Sequence, residues 1–354
     1  MKNYPQRFFL FTHRPNGVDQ QKFYHTLSKH FSVSLLLPES NNSRNSVYLI
    51  TLGKNLSSFL KLIKLTLAST SKVGQGIKIV DVIDSSFFLL PVEKKVILLF
   101  GTPMHPEMQW LRYPKLAVKY VKFAQDILIK KAQLVIAYNE MMGEYCEEVG
   151  AHKVILCPNY PPKNFKPTTS KQAWLASSNI SKNTKIALFV AGGRMLEVYG
   201  LELLLRAWSI VEKELHDICL VIIGPAPTFW IKQSVKKFGI KHLFAIGSVP
   251  YSSLPNWINV ADVCLATRTP GFPIEFYNDK DSTKINEYAA LSKPIVVCGY
   301  SPSPRYLLVP QTPHGLAEGI LKAFAGEVKP AIPHYWEENE SLIINTINKT
   351  FNGS

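Results

Sequence analysis

The sequence predicts an α/β protein built on two doubly wound parallel sheets, and three observations predict it. Strand-like segments such as Val96–Phe100 and Ile218–Ile223 are continuous apolar runs, the pattern of sheets covered on both faces. These runs alternate with helical or polar stretches along the chain, which is the order of βα units. The alternation breaks once, over 158–181, where four prolines and several Ser, Thr and Asn residues stand without periodicity, and then it resumes.

The first series reads as strand Arg7–Thr12, helix Gly17–His30 and strand Ser32–Leu37. Val47–Leu52, Ile77–Ile83 and Val96–Phe100 are further strands. A long basic helix over Tyr113–Ala132 precedes a short strand at Leu134–Ala137, a helix at Asn139–Val149 and a closing strand at Lys153–Cys157. The second series has strands Lys185–Val190, Ile218–Ile223, Leu243–Ile246, Val263–Ala266 and Ile295–Val297. Helices at Gly200–Glu214, Phe229–Phe238 and Thr283–Leu291 lie between them, and Glu337–Thr350 is helical. The expected domains are 1–165, a linker at 166–181, a second domain over 182–330, and a terminal helix within 331–354 that packs back on the first. Two such sheets joined by a linker leave a cleft between their carboxyl ends, where ligands bind in open α/β folds.

The chain has 354 residues, 46% of them hydrophobic, which suits two domains of ordinary size. No apolar run approaches the ~18 residues that span a bilayer. The start, MKNYPQRFFLFTHRP, reads as a first buried strand, since His and Arg follow the short apolar run without a small-residue cleavage site. Cys146, Cys157, Cys219, Cys264 and Cys298 form no C-x-x-C pair, which suits small hydrophobes in a reduced, cytoplasmic setting. The net charge of +14 concentrates in residues 1–165, which hold 21 Lys and Arg against 11 Asp and Glu; the remainder holds 19 against 15. A polyanionic partner follows. There is no zinc spacing, aromatic-basic RNA motif or recognition helix, so an anionic membrane is preferred to nucleic acid. Within that half, Lys54–Ala68 places Leu56, Phe59, Leu60, Ile63 and Leu67 on one helical stripe, with Lys61 and Lys64 elsewhere. Such a helix either lies in a membrane interface or packs on the core. Lys115, Lys119, Lys122, Lys130 and Lys131 of the Tyr113–Ala132 helix add to the basic surface.

Candidate chemistry concentrates in the second half. Asp279, Lys284 and Glu287 lie within DKDSTKINEYAALSKPIVVCG, two carboxylates eight positions apart and a cation at the entrance to a helix before a β-branched strand. That is the mouth of a strand–helix unit, where a parallel sheet binds ligands. After the strand ending at Val190, Gly192 and Gly193 let backbone approach a diphosphate, and Arg194 pairs with phosphate oxygens. Alone, a Gly-Gly-Arg after a strand reads equally as a tight turn with a solvated arginine. The Asp279–Asp281 D-K-D has the form of a metal-binding DxD; no metal is expected, because Arg194, Lys284 and helix dipoles meet the leaving group's charge.

These segments resemble retaining family-four glycosyltransferases with the GT-B fold. The resemblance rests on FVAGGR (Phe189–Arg194), LLLRAW (Leu203–Trp208), VIIGPAP (Val221–Pro227), GSVPYSSLP (Gly247–Pro255) and INEYAALSKPIVV (Ile285–Val297). GVDQQKFYHTLSKHF and KKAQLVIAYNEMMGEYCEEVGAHKVILCPNY carry it, more weakly, through the first half. It implies two Rossmann-like domains facing a cleft, with the acceptor side in the first and a nucleoside-diphosphate sugar in the second. That sugar nucleotide is a co-substrate, and no cofactor is implied. Arg194 and Lys284 would hold the phosphates, Glu287 the ribose hydroxyls, Asp279 the transferred sugar, and the backbone at Val249–Tyr251 the base. The acceptor would be a glycan or lipid-linked; the basic first half, docking on anionic lipid, would place the enzyme peripherally on the inner membrane face to reach it.

The sequence departs from that pattern in three places. Asp279 replaces the leading glutamate, Tyr199 replaces a phosphate-binding lysine before Gly200, and Gly101 stands where a histidine ends the VILLF strand. Lys284 is the candidate to replace the lost cation. His105 and His13 are rival candidates for the missing imidazole. The departures leave a catalytically inactive, membrane-associated scaffold as an alternative, and the shared fold leaves a sugar-nucleotide epimerase as another.

Overall fold

The computed structural model describes residues 7–11, 18–36, 77–81, 96–173, 181, 183–192, 195–225, 228–275 and 277–351. The chain divides into two compact units: Met1–Asn159 joined by Trp336–Ser354, and the uninterrupted stretch Tyr160–Tyr335. Each is built on a six-stranded parallel sheet.

In the first unit the strands are β1 (Arg7–Phe11), β2 (Ser32–Leu36), β3 (Ile77–Asp81), β4 (Val96–Phe100), β5 (Leu134–Ala137) and β6 (Val154–Leu156). They lie in the order β2-β1-β3-β4-β5-β6. Helix α1 (Val18–Ser28) follows β1, while α2 (Met104–Trp110) and α3 (Lys115–Lys131) follow β4; α4 (Glu140–Val149) joins β5 to β6. Alternate residues of β4 serve opposite faces, which is why the whole strand is apolar. Val96, Leu98 and Phe100 pack with Ala124, Leu128 and Met142 of α3 and α4. Ile97 and Leu99 pack with Phe23, Leu27, Trp336, Ile343 and Ile347. Those last residues belong to a 3₁₀ turn, Trp336–Asn339, and to α10 (Glu340–Phe351), so the end of the chain completes the core of its beginning. The return is pinned by polar contacts. Trp336 Nε1 donates to Thr26 Oγ1 at 2.8 Å, Asn339 Nδ2 to Pro158 O at 2.9 Å, and Lys29 pairs with Glu340 at 2.7 Å.

The second unit holds β7 (Lys185–Val190), β8 (Ile218–Ile223), β9 (Leu243–Gly247), β10 (Val263–Thr267), β11 (Ile295–Cys298) and β12 (Leu307–Leu308), ordered β12-β11-β10-β7-β8-β9. Helices α5 (Leu201–Glu214), α6 (Thr228–Phe238), α7 (Leu254–Val260), α8 (Thr283–Ala290) and α9 (Pro313–Phe324) cover it. Ala187 and Phe189 of β7 face Leu205, Trp208, Leu316 and Ile320. Ile186 and Leu188 face Ile258, Ile285 and Tyr288 on the other side. The alternation of the two clusters along β7 fixes its register: a one-residue slip would exchange both faces at once.

The structure refines several expectations. The break between units falls at Asn159, ahead of the expected 165, because Phe165 is buried in the second unit's core. The segment 166–181 includes residues attached to that unit, since Thr168 and Thr169 N donate to Asn256 Oδ1 and Lys171 pairs with Asp262 at 2.6 Å. Helices α2, α7 and α9 were not anticipated. For α9 the signal was present, because Thr312 caps it, accepting from Gly315 N, and Pro313 opens its first turn. The expected strand Val47–Leu52 and helix Lys54–Ala68 lie outside the described residues. All five cysteines are buried and unbonded; burial pushes the Cys146 and Cys157 thiols up to about 12. No helix among the described residues is long and apolar enough to cross a membrane.

Candidate functional site

In the second sheet the winding reverses between β7 and its neighbour β10: from β7 the chain proceeds outward to β8 and β9, and from β10 to β11 and β12. The loops leaving the carboxyl ends of these two strands therefore diverge and open a crevice, the ligand position in doubly wound sheets. Four hydrogen bonds lace the two loops beneath that opening. Thr267 Oγ1 donates to Tyr199 O at 2.5 Å, Thr269 Oγ1 to Leu196 O at 3.0 Å, Thr269 N to Val198 O at 3.0 Å, and Gly200 N to Thr269 Oγ1 at 3.0 Å.

The closeness of the lacing dictates glycine at two positions. Gly200 has φ +59°, and a Cβ there would sit 2.7 Å from Arg268 O. Gly224, ending the VIIG run, has φ +129°, and a Cβ would lie 1.9 Å from Ala191 O. At Gly192, by contrast, an added Cβ meets no atom within 4 Å. The packing of these loops on each other therefore requires glycine at Gly200 and Gly224. Gly193 and Arg194 lie outside the described residues, as does His13.

Arg268 leaves the end of β10 and was missed by sequence reasoning. Its guanidinium carbon is 4.9 Å from the ring centroid of Tyr199, 4.9 Å from Phe272, 4.5 Å from Tyr277 and 5.0 Å from Tyr300. The side chain is buried and its Nε has no hydrogen-bond partner. Four rings offset part of the desolvation cost of this cation through their negative faces. No motif marks Arg268; the available signal was its position immediately after a fully buried strand.

Lys284 lies in the first turn of α8, a helix buried from Lys284 to its end at Ala290. It is 9% exposed, with Nζ 3.7 Å from the Tyr199 ring centroid and 5.1 Å from that of Phe189. Nζ has no hydrogen-bond partner. Burial, then the adjacent Arg268 guanidinium, hold its pKa well below that of an ordinary lysine, and Glu287 opposes them. Glu287, one turn further along the helix, is buried as well. Tyr199, which replaces a lysine of the resembled family, serves instead as a platform on which both Lys284 and Arg268 rest. Tyr288 anchors α8 over the crevice: its hydroxyl accepts from Val190 N at 3.0 Å and donates to Leu265 O at 3.4 Å.

Asp279 is tied to the same helix through Arg305. Nη1 of Arg305 donates to Asp279 Oδ2 at 3.2 Å and to Asn286 Oδ1 at 2.7 Å, next to Glu287 in sequence. The D-K-D segment is a local turn in which Asp281 Oδ1 accepts from Asn278 N and Asn278 Oδ1 from Lys280 N. Among the described residues no group of three or more His, Cys, Asp or Glu is gathered to hold a metal ion. Val249 and Tyr251 follow β9 and pack on the second unit's core, with the Tyr251 ring 5.3 Å from Phe165. His105 belongs to the first unit, on α2, its ring 6.0 Å from Tyr145. Burial lowers its pKa, with a smaller opposing contribution from Gln125.

The structure thus gathers Lys284, Glu287 and Tyr199 with the unanticipated Arg268, and links Asp279 to them through Arg305 and Asn286. Residues 184–325 match the family model described as Glycosyl transferases group 1. No curated protein matches the chain by sequence. Among solved structures, sucrose-phosphate synthase from Thermosynechococcus elongatus is similar with TM-score 0.72 at 14% identity, covering 99% of this chain and 100% of that one. WaaG, a glycosyltransferase involved in lipopolysaccharide biosynthesis, gives 0.62 at 10%, covering 90% of each. An E. coli trehalose-6-phosphate structure bound with UDP-2-fluoro glucose gives 0.62 at 11%, covering 98% and 96%. The chain therefore has an α/β fold of two parallel-sheet units that matches GT-B glycosyltransferase structures, and its residues 184–325 carry the group 1 glycosyl transferase pattern.

Proposed function

We propose that the protein is a retaining, metal-independent glycosyltransferase that moves a sugar from a nucleoside-diphosphate sugar to a glycan or lipid-linked acceptor. The observation that supports this reading is the gathering of Lys284, Arg268 and Glu287 where β7 and β10 diverge, within the segment that matches the family model. A diphosphate needs cations, and both here are desolvated, so each is worth more to an anion than it would be in water. Lys284 and Arg194 take the phosphates, Glu287 accepts from the ribose hydroxyls, Asp279 holds the transferred sugar, and the backbone at Val249–Tyr251 meets the base. His105 is the candidate in the first unit for the acceptor side. As the anomeric carbon–oxygen bond breaks, the departing diphosphate gains charge that these cations stabilise. The acceptor hydroxyl forms the new bond to that carbon, and its proton passes to the departing diphosphate oxygen. A UDP-sugar is the first donor to try, since one similar structure is bound with a UDP-sugar analogue.

The test is a thermal-shift screen of UDP-, GDP- and ADP-sugars, followed by product analysis with and without acceptor. A donor at a hundred times its Kd raises stability by about 2.7 kcal/mol, or roughly 5–10 °C for a unit of this size. Glu287→Ala and Arg194→Ala lose transfer while keeping the fold. Wild-type turnover in both variants would refute the site, and product formed without an acceptor would make the protein an epimerase.

A further inference from the structure

We propose that the outward face of α3 is a docking surface for an anionic lipid bilayer. This helix is apolar on two sides. Ala124, Leu128 and Ile129 are buried under the first sheet. About 140° around the axis, at the 100° per residue of an α-helix, lie Leu116, Tyr120 and Phe123. Leu116 is 82% exposed, Phe123 63% and Tyr120 40%. Their i, i+4, i+7 spacing makes one stripe along the axis, with Leu116 and Phe123 its most exposed members. Scattered exposed apolar residues are ordinary in folded proteins; a row of three on one helix is not.

The charges around the stripe identify the partner. From Arg112 to Lys131 there are six basic side chains and one acid, Asp126. Asp126 is occupied: it pairs with Lys122 at 2.6 Å and accepts from the Tyr145 hydroxyl at 2.9 Å, on the side turned toward α4. Lys119 and Lys130 flank one edge of the stripe and Lys131 the other, and all are exposed. The helix is about 25 Å long at 1.5 Å per residue, so the stripe and its flanking lysines lie flat against a planar surface together. Apolar side chains entering the acyl boundary and lysines meeting phosphate headgroups are the two halves of interfacial binding. Nucleic acid would use the lysines and leave Leu116 and Phe123 in water, and a second copy of this helix would oppose like charges.

The inference stands apart from the proposed transferase activity, because its test needs no donor. The full chain is sedimented with vesicles of phosphatidylcholine alone and of phosphatidylcholine mixed with phosphatidylglycerol. It pellets with the mixed vesicles, and moderate salt releases it. L116S/F123S stays in the supernatant by at least tenfold, whereas F229S, which removes an exposed phenylalanine of the second unit, pellets as wild type. K119Q/K130Q weakens binding about fivefold per lysine. Both serine sites are solvent-facing, so circular dichroism and the melting temperature stay unchanged. The proposal is overturned if wild type ignores the mixed vesicles, if it binds both kinds equally, or if L116S/F123S pellets undiminished. It is also overturned if the serine pair changes only the elution volume on gel filtration, or abolishes retention of RNA or DNA instead of lipid.

Discussion

Replacing Gly200 by alanine measures how tightly the crevice loops are laced. The new Cβ would stand 2.7 Å from Arg268 O, 2.9 Å from Arg268 C and 3.2 Å from Thr269 N, all backbone atoms that cannot rotate away. The residue must also keep φ near +59°, a left-handed conformation that costs an alanine about 1 kcal/mol more than a glycine. Forcing the two loops apart adds about 2 kcal/mol, in the range of other overpacked sites. The hydrogen bond from Gly200 N to Thr269 Oγ1 is also strained. The total of about 3 kcal/mol corresponds to a fall in melting temperature of roughly 6–12 °C for a unit of this size. Gly239→Ala is the control for strain alone, because Gly239 has φ +68° and nothing within 4 Å of an added Cβ. It costs about 1 kcal/mol, and Gly192→Ala, open and without positive φ, costs less than about 0.5 kcal/mol. Denaturant unfolding of the three variants reads the series directly. Gly200→Ala equal to Gly239→Ala would show that the loops do not approach as described, and the placement of Arg268 would go with them.

Three further outcomes follow from particular contacts. Lys284→Met abolishes donor binding yet raises the melting temperature at neutral pH, because it removes a buried amine without a hydrogen-bond partner. The lysine is depressed in the folded state and ordinary, near 10.5, in the unfolded state. Unfolding therefore takes up a proton, and wild-type stability rises with pH through that window. The advantage of Lys284→Met is largest in acid and fades toward pH 10.5, so a difference independent of pH would show that the amine is not desolvated. Arg305→Ala leaves Asp279 without its guanidinium partner and costs about 2 kcal/mol, discounted for the pair's partial exposure. A denaturant midpoint unchanged from wild type would mean the pair contributes nothing. Trp336→Ala removes a buried ring and its bond to Thr26, at about 3–5 kcal/mol. Hydrogen exchange should report the loss in α1 and β4 and leave β7 and β8 protected. Equal loss in both would contradict two separate cores.

The strands of the second unit were legible because burial on both faces leaves an uninterrupted apolar run, as in Ile218–Ile223. Lys284 and Glu287 were legible because helix and strand follow them in a recognisable order. Arg268 was not, since Tyr199 and Tyr300, from the loops after β7 and β11, join Phe272 and Tyr277 of its own loop only in the fold. Arg305 was hidden for the same reason, its partners Asp279 and Asn286 lying on an earlier loop and helix. The early boundary shows the converse: Pro158–Pro167 has the composition of a linker, yet one phenylalanine in it is core.

The return of α10 to the first unit has a consequence for how the polypeptide matures. Tyr160–Tyr335 is an uninterrupted insert, so its contacts are all available once residue 335 has left the ribosome. The sheet begun by β1 must wait for Trp336, Ile343 and Ile347, synthesised after that insert, before Phe23 and Leu27 are covered. The amino-terminal half is then completed after the half that follows it. A nascent chain stalled before residue 336 would hold a finished second sheet beside an apolar surface open to chaperones.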